Sequence, residues 1–144
     1  MVALPLIRKT NTTFVTSTPL VAVFVGGTSG IGEYALRALA RNHASTTSQA
    51  PPSLRIYIVG RNAAAASKII ADCKTLCPGP QCKFTFVKAQ DLALLRDVDR
   101  VCEEIIRLER TEEANGCGKA RVDWLCMSQS IFGLSFESRK GKLC

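Results

Sequence analysis

Two hydrophobic periods alternate along the chain. Leu20-Val21-Ala22-Val23-Phe24-Val25 is an unbroken apolar run of strand-forming residues closed by glycine, the pattern of a strand buried on both faces. From Ile31 the period lengthens: Ile31, Ala35 and Leu39 recur at helical spacing while Glu33, Arg37 and Arg41 fall between them. Leu54–Val59 reads as a second strand, closed by Gly60-Arg61-Asn62. Ala63–Leu76 reads as a helix with Ile69, Cys73 and Leu76 on one face, stopped by Cys77-Pro78-Gly79-Pro80. Lys83–Lys88 is a third strand. Asp91 is placed to cap a helix in which Leu95, Val98, Cys102, Ile105 and Leu108 return at three- and four-residue steps. Asn115-Gly116-Cys117-Gly118 breaks that helix, and Val122–Met127 is a fourth strand.

The order βαβαβαβ predicts an α/β fold: a Rossmann-type parallel sheet with helices on both faces and right-handed crossovers. Residues 1–18, rich in threonine, predict an irregular lead-in; 19–134 form the Rossmann domain, and 135–144 a basic tail. His43 to Ser53 is polar and ends in Pro51-Pro52, longer than the usual connection of about two to six residues. It reads as a surface loop carrying the single histidine.

Composition narrows the function classes. At 144 residues and 47% hydrophobic, the chain can bury one core. Its longest apolar runs are too short for a bilayer, and the N-terminal one is too short for a secretory signal. No membrane association, a cytoplasmic location and an idle Asn11-Thr12-Thr13 sequon are therefore expected. The net charge of +7 comes largely from the ends, where Arg8, Lys9, Arg139, Lys140 and Lys142 lie. The interior is only mildly basic and lacks an aromatic-basic stripe, so no nucleic-acid partner is expected; a small anionic ligand suits it. Seven cysteines without an export signal predict reduced thiols. Cys73, Cys77 and Cys82 cluster, but not at the spacing of a zinc knuckle, and no histidine is near in sequence; no metal is expected.

The chemistry-bearing stretch is Gly26-Gly27-Thr28-Ser29-Gly30-Ile31-Gly32, between a buried strand and an amphipathic helix. A helix start there presents unpaired N–H groups and partial positive charge, which suits the pyrophosphate of a dinucleotide. The glycines allow a tight turn, close ligand approach and close packing of helix on strand.

The spacing of Gly26, Gly30 and Gly32 resembles the loop of the short-chain dehydrogenase/reductase family in its common form. Asp91-Leu92 looks like that family's acidic residue facing adenine, and Val122-Asp123-Trp124-Leu125 like the approach of its fourth strand. The resemblance covers about residues 20–134. The wording of the glycine loop and of Leu125-Cys126-Met127-Ser128-Gln129-Ser130 is most similar to reductases of fungal secondary-metabolite pathways. It implies an oxidoreductase whose cofactor meets Gly26, Thr28, Ser29, Gly30, Ile31, Gly32, Arg61, Asn62, Asp91, Leu92 and Ser128. An acidic residue ending the second strand would bind the ribose hydroxyls of NAD. Arg61-Asn62 stands there instead, and a guanidinium engages a 2′-phosphate through two parallel bonds, which predicts NADP.

Two departures limit the resemblance. Met127-Ser128-Gln129-Ser130 replaces the family's Asn-Asn-Ala-Gly. The family's proton-transferring Tyr-x-x-x-Lys is also missing: Tyr34 is followed four positions on by Ala38, and Tyr57, inside a strand, by Arg61. The expectation is a dinucleotide-binding half, truncated after the fourth strand and inactive alone, with a carbonyl or alcohol substrate only if other sequence completes it. Its fourth strand would be an exposed edge open to self-association. A non-catalytic binding module is the alternative. A methyltransferase-type Rossmann domain is disfavoured, since its cofactor has no phosphate for the loop and Arg61 to hold.

Overall fold

Four apolar runs lie side by side and point the same way. In the computed structural model, which describes residues 3–45 and 51–129, β1 (Leu20–Val25), β2 (Leu54–Gly60), β3 (Cys82–Lys88) and β4 (Trp124–Met127) form one parallel sheet. The strand order is β3-β2-β1-β4. The chain steps outward from β1 to β3 and then returns to the other side of β1, so the order reverses between β1 and β4. Crevices that hold ligands in open α/β sheets form at such a reversal, beyond the carboxyl ends of the strands. The register brings Val25, Val59, Val87 and Met127 level at that end.

Alternate strand residues feed two cores, as the pleat requires. Leu20, Ala22 and Phe24 of β1 and Leu54, Ile56 and Ile58 of β2 face one side. There they pack with helix α2 (Gly30–Ala44) through Leu36, Leu39 and Ala40, and with α3 (Ala63–Leu76) through Ile69 and Cys73. Val21, Val23, Tyr57, Val59 and Val87 face the other side, against Val101 and Ile105 of α4 (Leu95–Ala114). Helices thus cover both faces of a parallel sheet. None of the described helices is long and apolar enough to cross a membrane.

The structure corrects several expectations. The lead-in is not irregular: Leu4–Ser17 forms helix α1, with Pro5 in its first turn and Val15 buried in the core beneath α2. Threonine's low helix propensity hid it, but Val15 anchors it. Thr16 and Ser17 donate their hydroxyls to the carbonyls of Thr12 and Thr13, at 2.9 and 2.6 Å. Helix α2 runs on through His43, which is a buried helical residue, not a loop residue. Its buried face is Leu36, Leu39, Ala40 and His43, while Ile31 is exposed. In α3, Ala66 completes the buried face and Leu76 is exposed.

The expected stripe of α4 is shifted as well. Leu94, not Asp91, precedes its first turn, and Leu95 and Cys102 face outward. The buried positions are Asp97, Val101, Ile105 and Glu109 at four-residue steps. Two carboxylates in the buried row disguised it. At β4, Leu125 and Met127 are exposed, and among the described residues its one strand neighbour is β1. Trp124 is half-exposed, its ring 6.4 Å from that of Phe24. The basic tail lies outside the described residues.

Candidate functional site

The glycine loop leaves β1 at Val25 and enters α2 at Gly30, at the sheet reversal. Gly26 has φ +82°, a left-handed conformation that disfavours any side chain, and its N–H donates to the Val59 carbonyl at 2.9 Å. Gly32 is closed in: a Cβ there would stand 2.3 Å from Ser128 Oγ and 2.6 Å from the Gly26 carbonyl oxygen. Glycine is therefore what lets the first turn of α2 touch β1. Gly30 differs. It has φ +56°, and a Cβ there would have no atom within 4 Å. Space stands open above the first turn of α2, where N–H groups point outward.

Ser128, just past β4, fastens this loop. Its N–H donates to the Val25 carbonyl at 2.9 Å, and its Oγ donates to the same carbonyl at 3.1 Å. The hydroxyl proton is thus spent inside the protein, and Ser128 acts as a brace under Gly26. Ser29 precedes α2 in extended conformation, is exposed, and makes no side-chain cap to the helix. Ile31 is exposed beside it. Thr28 packs on Gly60 at the end of β2, where a Cβ would come within 2.7 Å of its methyl group.

Arg61 follows Gly60 on the exposed surface and has no hydrogen-bond or ion-pair partner among the described residues. Asn62 is already engaged: its Oδ1 accepts from the Ala65 N–H at 3.0 Å and caps α3. Asp91 is exposed and accepts from the Ala93 N–H at 3.0 Å, so it shapes a turn instead of capping α4. Leu92 packs half-buried on the second core.

Sequence reasoning missed what holds this third loop in place. Asp97 Oδ2 accepts from the N–H groups of Gln90 and Asp91 at 2.6 and 2.9 Å. Its Oδ1 accepts from Arg100 Nε and Nη2 at 2.9 and 2.8 Å, and Arg100 also donates to the Lys88 carbonyl at 2.6 Å. The bonds from Arg100, helped by the two backbone N–H groups, hold the Asp97 carboxyl below its ordinary range. An aspartate six residues after Asp91 within an apolar helix row was the available signal. Gly26, Gly32 and Ser128 thus meet beyond the end of β1, Thr28 lies against Gly60 at the end of β2, and Arg61 and Asp91 follow the neighbouring strands β2 and β3 at the same end of the sheet.

Comparison with known proteins agrees with this architecture. No protein-family model matches the chain. It is 40% identical over 131 residues to a short-chain dehydrogenase/reductase of Stachybotrys chartarum, which covers 91% of this chain and 35% of that protein. It is 42% identical over 106 residues to an oxidoreductase of Emericella variicolor, covering 73% of this chain and 28% of the relative. The chain thus spans about a third of the length of the curated relatives it matches. Among solved structures, L-sorbose reductase of Gluconobacter frateurii, crystallised with NADPH and L-sorbose, superposes with a TM-score of 0.53. At 19% identity, over 81% of this chain and 35% of that one, this likeness is one of fold. In sequence and in fold, the chain fits the short-chain dehydrogenase/reductase family.

Proposed function

We propose that the glycine loop binds NADP and that the chain is the cofactor-holding part of an NADP-dependent oxidoreductase. The observation that carries this reading is the contrast between Gly30, open above the first turn of α2, and Gly32, closed against Ser128 and Gly26. A side chain at Gly30 would enter that open space, while the absence of one at Gly32 lets α2 close on the loop. In this reading the pyrophosphate lies over Gly26, Gly30, Ile31 and Gly32, with the Thr28 and Ser29 hydroxyls beside it. Arg61, exposed at the end of β2 and without a partner among the described residues, takes the 2′-phosphate. The free amide of Asn62 adds a donor, and Asp91 and Leu92 border the adenine.

When bound, a nicotinamide supplies or accepts a hydride. These 144 residues provide binding and orientation, and no Tyr-x-x-x-Lys lies among them to move the accompanying proton. The likeness to fungal oxidoreductases supports the oxidoreductase class, and a carbonyl or alcohol substrate of secondary metabolism belongs to the same proposal. A non-catalytic dinucleotide-binding module is the second reading, favoured by the same missing pair. Fluorescence titration should show tighter binding of NADPH than of NADH, and Arg61→Glu should abolish the difference. Equal affinity for both in the unmodified chain would sink the NADP assignment. Carbonyl-dependent NADPH oxidation by these 144 residues alone would refute the assignment of proton transfer to other sequence.

A further inference from the structure

At the opposite end of the sheet from the glycine loop, three metal-ligating side chains meet that lie far apart in sequence. His43 is in the last turn of α2, Cys77 follows the last residue of α3, and Cys82 opens β3. All three residues are buried, with relative exposures of 3%, 5% and 7% in that order. His Nδ1 or Nε2 and the two Sγ atoms all lie within 4.8 Å of one another.

The histidine is oriented as a ligand. Its Nε2 lies 2.8 Å from the Pro52 carbonyl oxygen, which can only accept, so Nε2 carries the proton. Nδ1 then turns its lone pair inward, 3.5 Å from Cys82 Sγ. A carbonyl that fixes the tautomer of a histidine is the usual support behind a metal-bound imidazole. Ligand atoms around a tetrahedral ion bound at about 2.0–2.3 Å lie roughly 3.5–4 Å apart, so this set has to draw in by no more than about an ångström.

We propose that His43 Nδ1, Cys77 Sγ and Cys82 Sγ bind one zinc ion, which ties the ends of α2 and α3 to the start of β3. Sulfur and imidazole donors select a thiophilic ion. Two thiolates cancel a divalent charge, whereas monovalent copper would leave a buried net charge. The carbonyl ends of α2 and α3 converge here, and their partial negative charge also favours a cation. A fourth position is left for water or for an oxygen such as the Ala40 carbonyl, already 3.3 Å from Cys77 Sγ. Binding breaks two S–H bonds, forms two Zn–S bonds and one Zn–N bond, and releases two protons; no electron is transferred. The site is independent of the dinucleotide reading, being built from other residues.

The test uses the full chain purified under a phosphine reductant without chelator. Elemental analysis should find close to one zinc per chain. After chelator treatment, Co²⁺ should develop thiolate-to-metal charge transfer and the visible bands of a tetrahedral site, and Zn²⁺ should displace them. Cys82→Ser and His43→Gln should lose the bands, while Cys102→Ser, at an exposed position, should keep them. Should the site variants fail to fold, the unmodified chain still decides: chelation should lower its Tm and added zinc restore it. A chain with free thiols that shows neither charge transfer nor a zinc-dependent Tm overturns the site. So does cobalt binding retained in a folded Cys77→Ser/Cys82→Ser variant.

Discussion

Glu109 of α4 holds Arg55 of β2 through two nearly parallel hydrogen bonds, from Nε at 2.9 Å and from Nη2 at 2.8 Å. Both side chains are buried, and the Tyr57 hydroxyl donates to the same Oε1 at 2.7 Å. Arg55 also donates to the carbonyls of Cys117 and Lys119, so this one guanidinium ties β2, α4 and the approach to β4 together. Glu109→Gln leaves a buried cation without its counter-charge and should destabilise the chain by about 3–5 kcal/mol. Tyr57→Phe removes one hydrogen bond to a charged group and should cost about 1.5–3 kcal/mol. Urea unfolding measures both. A Glu109→Gln variant within about 1 kcal/mol of the parent would show that the pair contributes little.

Asp97 sets a pH dependence. Chiefly through Arg100, its folded-state pKa lies below the ordinary value, so folding favours the ionised carboxylate. That stabilisation is complete above the unfolded pKa of about 3.9 and is lost as pH falls toward the folded value. Stability measured from neutral pH down to about 3 should therefore fall more steeply in the parent than in Asp97→Asn. Parallel curves for the two proteins would contradict the linkage.

Gly30 and Gly32 should respond differently to alanine. At Gly32 the new methyl meets Ser128 Oγ, which can rotate away, and the Gly26 carbonyl, which cannot. Gly32→Ala should cost about 1–3 kcal/mol of stability and weaken NADPH by at least about tenfold. Adding Ser128→Ala should recover only part of the loss. Without ligand, Gly30→Ala meets no atom and bears only left-handed backbone strain, about 1–2 kcal/mol, but its methyl enters the space given to the pyrophosphate and should weaken NADPH as well. Full recovery in the Gly32→Ala/Ser128→Ala pair would mean that the backbone contact yields.

Much of this was legible in the chain because it is local. Continuous apolar runs located the strands, and Gly26 to Gly32 announced the turn between strand and helix. What escaped was set through space. Val15 anchors a threonine-rich helix that propensity alone would not form. Asp97 and Glu109 sit in the buried row of α4 because their partners come from a loop and from β2. His43 reads as polar until Pro52, Cys77 and Cys82 fold around it. Ser128 reads as a cofactor contact, and the bond from its hydroxyl to the Val25 carbonyl could not be read from the chain.

The cysteines should separate by reactivity in the metal-free chain. Burial pushes the Cys82 thiol up to about 12 and that of Cys73 up to about 11, while Cys102 lies exposed on α4. Thiolate is the reactive form, so iodoacetamide at neutral pH should label Cys102 well before Cys73 or Cys82. Peptide mass spectrometry over a time course reads the order directly. Labelling of Cys82 as fast as Cys102 in folded protein would mean that its environment is wet.

The parallel direction of all four strands has a consequence for how this molecule can change. Every backbone turn facing the proposed cofactor leaves the sheet at one pole, and His43, Cys77 and Cys82 gather at the other. A six-residue strand puts about 20 Å between them. Substitutions at the two poles share no partner, and their energetic effects should add. One end can then drift toward a new ligand while the other keeps the helices anchored, which makes the sheet a partition between what is selectable and what is needed for persistence.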